Sequence, residues 1–243
     1  MAPEIAIRHD YIGVLLAAGE GARYRALAHD GSGQDATANG PRERAPADSG
    51  AVRGISPPHS HKLLARLPDG RLMAQASAQT LLAVLPDTIA VVAEHPPALS
   101  TLLSTLRCGI VTAPNAPRGM GISLATAARH LIERQLTEAA GHRPNGCVVA
   151  LADMPWVHAS TIERLLAHAA CDRIVVPVYR GRRGHPVVFG AQFLPELAAL
   201  DGDTGARALL ARHGACEIEC DDAGVVRDVD VPADLFTQPQ KNH

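Results

Sequence analysis

The chain has 243 residues, enough for one large domain or two small ones and for burying roughly 70 to 75 % of its unfolded surface. Hydrophobic residues make up 47 % of it, chiefly Ala, Leu and Val, while aromatics reach only 3 %. That is the palette of an α/β domain whose small side chains let helices lie close on a sheet. A formal net charge of -2 offers no basic surface for a row of phosphates, and with so few aromatic platforms a nucleic-acid partner is excluded.

The first apolar run, Ile12 to Ala17, predicts a strand. It leads directly into LLAAGEGARYR, where Gly19 and Gly21 let the main chain approach a ligand and Arg23 follows at a fixed offset. Such a turn can wrap phosphates with N–H groups. It is not the dinucleotide fingerprint, because the sixth position of G-x-G-x-x-G is Tyr24, and taken alone it equally describes an ordinary tight turn. From Arg25 to His61 the pattern stops. Gly, Pro, Ser, Asp and charge dominate there, so a disordered insertion at about 26–60 within a single domain spanning 1–243 is expected. His59 and His61 form an H-x-H at its end, which reads as solvated loop.

Beyond the insertion, Lys62 precedes an apolar pair in HKLLARLPDG. Singly it reads as a solvated lysine; beside Arg23 it would be a second cation for the same phosphates. Further strands are predicted over Thr88 to Ala93, Gly109 to Thr112, Cys147 to Leu151 and Arg173 to Tyr179, alternating with helical patterns. This is the signature of crossover helices around a mainly parallel sheet. The segment CVVALADMPW places Asp153 just past its strand, at the carboxyl edge where open α/β sheets bind ligands. A carboxylate there suits a Mg²⁺ bridging nucleotide phosphates, with helix capping as the plain alternative. A helix is predicted over Thr161 to Ala170, with Ile162, Leu165, Leu166 and Ala169 on one face and an S-x-x-E box of Ser160 and Glu163 at its start. His185 stands between Gly184 and Pro186, behind the basic cluster Arg180, Arg182 and Arg183. Those cations favour an anionic ligand.

The five cysteines, Cys108, Cys147, Cys171, Cys216 and Cys220, form an odd set without C-x-x-C, so buried reduced thiols are expected. The opening MAPEIAIRHDY has no apolar run behind basic residues, and no stretch of about 18 uncharged apolar residues occurs. A cytoplasmic chain with no membrane partner is the expectation.

In order, LAAG-x-G-x-R, a following Lys and strand-D-M-P resemble the MobA-like nucleotidyltransferases over nearly the whole chain outside the insertion. PNAPRGMGISLA resembles the family's nucleotide-contacting loop and helix start through Gly119, Gly121 and Ser123. Gly184, His185 and Pro186 match the G-H-P motif of the molybdenum cofactor cytidylyltransferase (MocA-like) branch, and DGDTGARALL matches its G-D-x-G-A-R through Gly202, Asp203, Gly205, Ala206 and Arg207. RDVDVPADL resembles its terminal D-I-D-T-P-x-D through Asp228, Asp230, Pro232 and Asp234. The chain departs from the pattern at Ala26, followed by the insertion instead of an early Lys, and at Val231, where Thr is common.

The resemblance implies a three-layer αβα sandwich with a mainly parallel mixed sheet, the Rossmann-like nucleotide-diphosphosugar transferase fold. It also implies CMP transfer from CTP to the phosphate of molybdenum-loaded molybdopterin, a phosphorylated pterin, with release of pyrophosphate. Ala17, Ala18, Gly19, Gly21, Gly119, Gly121 and Ser123 would hold the nucleotide. Arg23 and Lys62 would meet the triphosphate, and Asp153 with Asp230 would hold Mg²⁺. Gly184, His185, Pro186, Asp203 and Arg207 would hold the acceptor. A molybdoenzyme client or its chaperone would be a further partner. GMP transfer, another phosphorylated acceptor, and a non-catalytic cofactor carrier remain open alternatives; a carrier has no use for Arg23, Lys62 and Asp153 together.

Overall fold

Strand β1, Tyr11–Ala17, is buried at all seven positions, which is why its sequence is a continuous apolar run and not an alternation. It lies at the centre of a sheet ordered β3-β2-β1-β4-β7-β5-β6, with β8 on β5. Here β2 is Thr88–Val92, β3 Gly109–Thr112, β4 Gly146–Leu151, β5 Ile174–Tyr179, β6 Arg182–Arg183, β7 Val187–Gly190 and β8 Cys216–Glu219. In this computed structural model residues 10–19, 24, 61–115, 119–137, 143–202 and 205–236 are described. The expected insertion at about 26–60 lies outside them.

Leu15 pairs with Ala90 on one side and Ala150 on the other, both in parallel register. Strands β6 and β7 alone run against the rest of the described sheet. Helices α1 (Met73–Val84), α2 (Pro97–Thr105) and α4 (Ala159–Ala167) cover one face. There Leu81, Leu103 and Leu165 meet Leu15, Val148 and Val188. On the other face α3 (Met120–Thr137), α5 (Leu194–Ala198) and α6 (Arg207–His213) cover Val14, Val149, Val176 and Phe189 through Leu124, Leu131, Leu197 and Leu209. Alternate residues of β1 and β4 supply the two cores. The result is a three-layer αβα sandwich with a mixed, mostly parallel sheet, as expected.

The five predicted strands match β1 to β5 to within one residue at each end, while β6, β7 and β8 have no predicted counterpart. The predicted helix Thr161 to Ala170 is instead Ala159–Ala167, and its N-cap, His158, has no side-chain cap bond. The Ser160–Glu163 box is therefore not what starts it. The buried carboxylate of Asp222 takes over, accepting from the His158 N–H at 2.9 Å and the Thr161 hydroxyl at 2.7 Å. Of the cysteines, Cys108 and Cys147 are buried as expected, and burial pushes their thiols up to about 11 and about 12. Cys171 is exposed, against expectation, since it lies in the turn before β5 and not in a strand. Among the described residues no helix is long and apolar enough to cross a membrane.

Candidate functional site

The carboxyl end of β4 delivers Asp153, and its main chain is pinned on three sides. The Ala152 N–H donates to Leu16 O at 3.0 Å, the Ser77 hydroxyl of α1 donates to Ala152 O at 3.0 Å, and the Val229 N–H donates to Asp153 O at 3.0 Å. A carboxylate on so constrained a backbone has little freedom beyond its own rotamer. Its side chain is 26 % exposed, open to a ligand without being adrift in solvent.

Lys62 comes to it from the opposite direction. A short 3-10 turn, Lys62–Leu64, is capped by His61 Nδ1, which accepts from the Leu63 N–H at 3.3 Å, and is anchored by Leu63, Ala65 and Leu67 in the core. The turn directs the Lys62 ammonium between two carboxylates: Oδ2 of Asp153 at 2.9 Å and Oδ1 of Asp230 at 3.4 Å. The lysine is 7 % exposed, so it is not the solvated lysine that it would be in isolation. Tyr24 is buried nearby; desolvation pushes its phenol up and the Lys62 charge draws it down. Tyr24 thus lies within reach of the Lys62 charge. Tyr24 and Ser77 both serve this site, and neither carried a sequence signal beyond being a bulky and a small polar residue.

Asp230 belongs to the chain's last described segment. The Asp234 carboxylate accepts from the N–H groups of Asp230 and Val231, both at 2.8 Å, and so caps the 3-10 turn Pro232–Leu235. Among the described residues no three His, Cys, Asp or Glu side chains converge on one point. The carboxylate pair thus fits Mg²⁺, which takes few protein ligands and fills its other positions with phosphate oxygens and water. The Lys62 ammonium already lies between the two acids, so both carboxylates reach one positive charge.

On the α3 and α6 side of the sheet a cleft of about 530 Å³ opens, floored by Leu16, Val149, Val187 and Phe189. Arg183, His185 and Arg207 supply its polar edge. His185 faces the charges of Asp153, Asp228 and Arg207, which places it between the carboxylate pair and the cleft. Burial holds its imidazole below the ordinary histidine range, opposed by the Val149 main chain and the two aspartates and reinforced by Arg207. Its Nδ1 is buried without a hydrogen-bond partner among the described residues. Gly184 precedes it because a Cβ there would overlap the Val225 carbonyl oxygen, and the His185 N–H donates to the same carbonyl at 2.8 Å.

The other candidate residues fall around these two features. Ala17 ends β1, Ala18 is buried, and Gly19 is exposed at the same sheet edge as Asp153. Gly119 precedes α3 with φ 142°. Gly121 donates its N–H to Gly202 O at 2.9 Å, a contact that leaves no room for a side chain. Ser123 is 5 % exposed on the core side of α3. Pro186 is buried behind His185, and Arg207 opens α6 at the cleft. Gly21, Arg23 and Asp203 lie outside the described residues.

The MobA-like NTP transferase domain family matches this chain over residues 53–216. Nicotine blue oxidoreductase from Paenarthrobacter nicotinovorans is 34 % identical over 109 residues, 41 % of this chain and 53 % of that protein. Purine catabolism protein PucB from Bacillus subtilis strain 168 is 30 % identical over 121 residues, 49 % of this chain and 55 % of that protein. The matched region thus spans about half the length of both curated relatives. Among solved structures, Rv0371C from Mycobacterium tuberculosis H37Rv in complex with manganese superposes with a TM-score of 0.62 at 23 % identity, covering 93 % of this chain and 95 % of that one. The family match covers more than half of the chain and takes in Lys62, Asp153, the G-H-P turn and Arg207, while Asp230 lies beyond it; this chain is a member of the MobA-like NTP transferase family.

Proposed function

We propose that this chain transfers CMP from CTP to the phosphate of molybdenum-loaded molybdopterin and releases pyrophosphate. The observation that carries the reading is the Lys62 ammonium between Asp153 and Asp230 at the edge of the sheet, beside an apolar cleft edged by Arg183, His185 and Arg207. The cation and the acid pair suit a metal-bound triphosphate. The apolar floor and arginine edge suit an anionic acceptor with a flat, poorly solvated body.

In this reading the nucleotide lies over the end of β1, at Ala17 to Gly19, with Lys62 and Arg23 against its triphosphate. Asp153 and Asp230 would hold Mg²⁺, which neutralises charge on the phosphates and on the departing pyrophosphate. Arg207 and Arg183 orient the acceptor so that its phosphate oxygen faces the α-phosphorus in line with the bond to the β-phosphate. The new P–O bond forms as the old one breaks, and the electron pair leaves with pyrophosphate. An anionic phosphate oxygen needs no general base, so the protein contributes positioning and charge. His185, held neutral by burial, adds no like charge against Arg207.

The test is pyrophosphate release by the purified chain given CTP, Mg²⁺ and molybdenum-loaded pterin, against GTP, ATP and Asp153→Ala controls. Release with CTP, lost in a folded Asp153→Ala variant, is expected. Release with GTP alone would move the assignment to guanylyl transfer, and none with any nucleotide would remove the activity.

A further inference from the structure

Asp153 and Asp230 are 77 residues apart in the chain, and the segments bearing them run antiparallel in contact. Asp222 meets the His158 N–H at 2.9 Å, Gly224 packs so tightly on the Trp156 carbonyl that a Cβ would overlap it, and Val229 donates to Asp153 O at 3.0 Å. Between these ties the Arg227 guanidinium lies over the Trp156 ring, its carbon 3.6 Å from the ring centre. Its Nη2 donates to Asp234 O at 3.0 Å, and Asp234 is the residue whose carboxylate holds the Asp230 N–H. Trp156 is three residues past Asp153 and Arg227 three before Asp230. One stacked pair therefore spans the two carboxylate-bearing turns, and one guanidinium joins the Trp156 turn to the cap of Asp230.

We infer that Arg227, stacked on Trp156, is a positioning residue that sets the separation of Asp153 and Asp230 and so the affinity of the pair for a divalent cation. This rests on the metal assignment above. The geometry gives it a distinctive sign. Arg227 is itself a cation, so deleting it cannot leave the site less negative, and field effects alone would not weaken metal binding. If it positions the acids, deletion weakens binding, because groups outside the ligand shell that orient the ligands are worth about 10- to 100-fold in metal affinity. Both side chains are half-buried, so their loss leaves no large cavity.

The experiment titrates Mn²⁺ alone into the full chain, following free Mn²⁺ by electron paramagnetic resonance, in wild type and in a Lys62→Met background. Arg227→Met and Trp156→Leu are each expected to weaken Mn²⁺ binding about tenfold. The double variant should be no weaker than either single one, since the two groups form one contact. Trp156→Phe, which keeps an aromatic face, should retain the affinity, and thermal midpoints should stay close to wild type. Should either truncation fail to fold, Arg227→Lys decides: it keeps the charge, loses the planar stack, and must still bind Mn²⁺ more weakly than wild type. Unchanged or tighter binding in folded Arg227→Met overturns this inference and leaves the metal assignment standing. Wild type that binds no Mn²⁺ in either background overturns both.

Discussion

The Lys62 ammonium lies 2.9 Å from Asp153 Oδ2 and 3.4 Å from Asp230 Oδ1, so the lysine expected to meet a triphosphate occupies the place expected for its metal. These two uses exclude each other. A divalent ion can take the carboxylates only as Lys62 leaves them, and the natural destination for its charge is the triphosphate that accompanies the ion. Lys62→Met should therefore tighten Mn²⁺ binding by the nucleotide-free protein, by about tenfold for roughly 1.4 kcal/mol of lost competition. The same change should cut pyrophosphate release from CTP by more than about a hundredfold, as loss of a charge-stabilising group does. Paramagnetic resonance with Mn²⁺ reads the first effect and a pyrophosphate assay the second. Weaker Mn²⁺ binding in the variant would show that Lys62 supports the site without competing for it.

Asp222 is a carboxylate of stability, apart from the pair proposed to hold the metal. It is 3 % exposed and accepts from His158 N, Thr161 Oγ1 and Gly224 N at 2.9, 2.7 and 2.9 Å, joining the start of α4 to the terminal segment. Asp222→Ala strands all three donors, and a loss of about 3 kcal/mol is expected. Asn retains one acceptor oxygen and should lose less. Urea unfolding of the two variants beside wild type measures both; a loss below about 1 kcal/mol for Ala, the range of an exposed pair, would mean that water replaces the carboxylate.

That cap shows where sequence reading stops. Asp153 was legible because the signal that marks it is local, an apolar run, then Asp, then Pro155 within a few residues, although Leu16, Ser77 and Val229 hold its backbone from afar. Strands β1 to β5 were legible for the same reason, since strands written as apolar runs announce themselves locally, whereas the short β6, β7 and β8, two to four residues each, were not. The Ser160–Glu163 box was a sound local signal that lost to a distant carboxylate, because Asp222 arrives from 64 residues beyond His158 with a buried charge. Lys62 taken singly reads as a surface residue and becomes a site candidate only through the motif series; that Leu63 draws it inward is visible only in the folded turn. Arg227 and Trp156 carry no motif at all; their pairing exists only through the antiparallel contact of two loops.

His185 gives the site a pH signature. Burial lowers its folded-state value beneath the unfolded one near 6.5, so between the two the unfolded chain binds the extra proton. Its contribution to stability is thus complete above about 6.5 and is lost as pH falls through the lower folded value. His185→Gln removes this proton uptake, so its stability should fall less than that of wild type between pH 7.5 and about 5.5. Paired urea titrations at the two pH values make the comparison. Parallel losses would show that the imidazole takes its proton in the folded protein with no penalty.

In the proposed reaction the choice of nucleotide is expected to turn on Ala18. In the guanylyl-transferring branch of the family, unlike the cytidylyl branch that the sequence resembles, the residue before the last Gly of LAAG is typically itself Gly, whereas here Ala18 places a methyl group at that position. The methyl is 3 % exposed and packs inward with Leu16 and Ala113, so it acts on a bound base through the main chain it supports and not by direct contact. A side chain anchored in the core fixes the height of the Gly19 backbone, the exposed surface on which a base would rest. A pyrimidine can meet that backbone through its carbonyl and amino groups, while a purine needs the chain to give way. One methyl group is worth about 1 to 3 kcal/mol, or about tenfold to a few hundredfold in kcat/KM. CTP is therefore expected to surpass GTP by at least about tenfold with one acceptor, and Ala18→Gly to narrow that ratio by raising the GTP value more than it lowers the CTP value. An unchanged ratio in a folded Ala18→Gly variant would move the source of selectivity away from the end of β1, toward the loop before α3 where Gly119 and Gly121 lie.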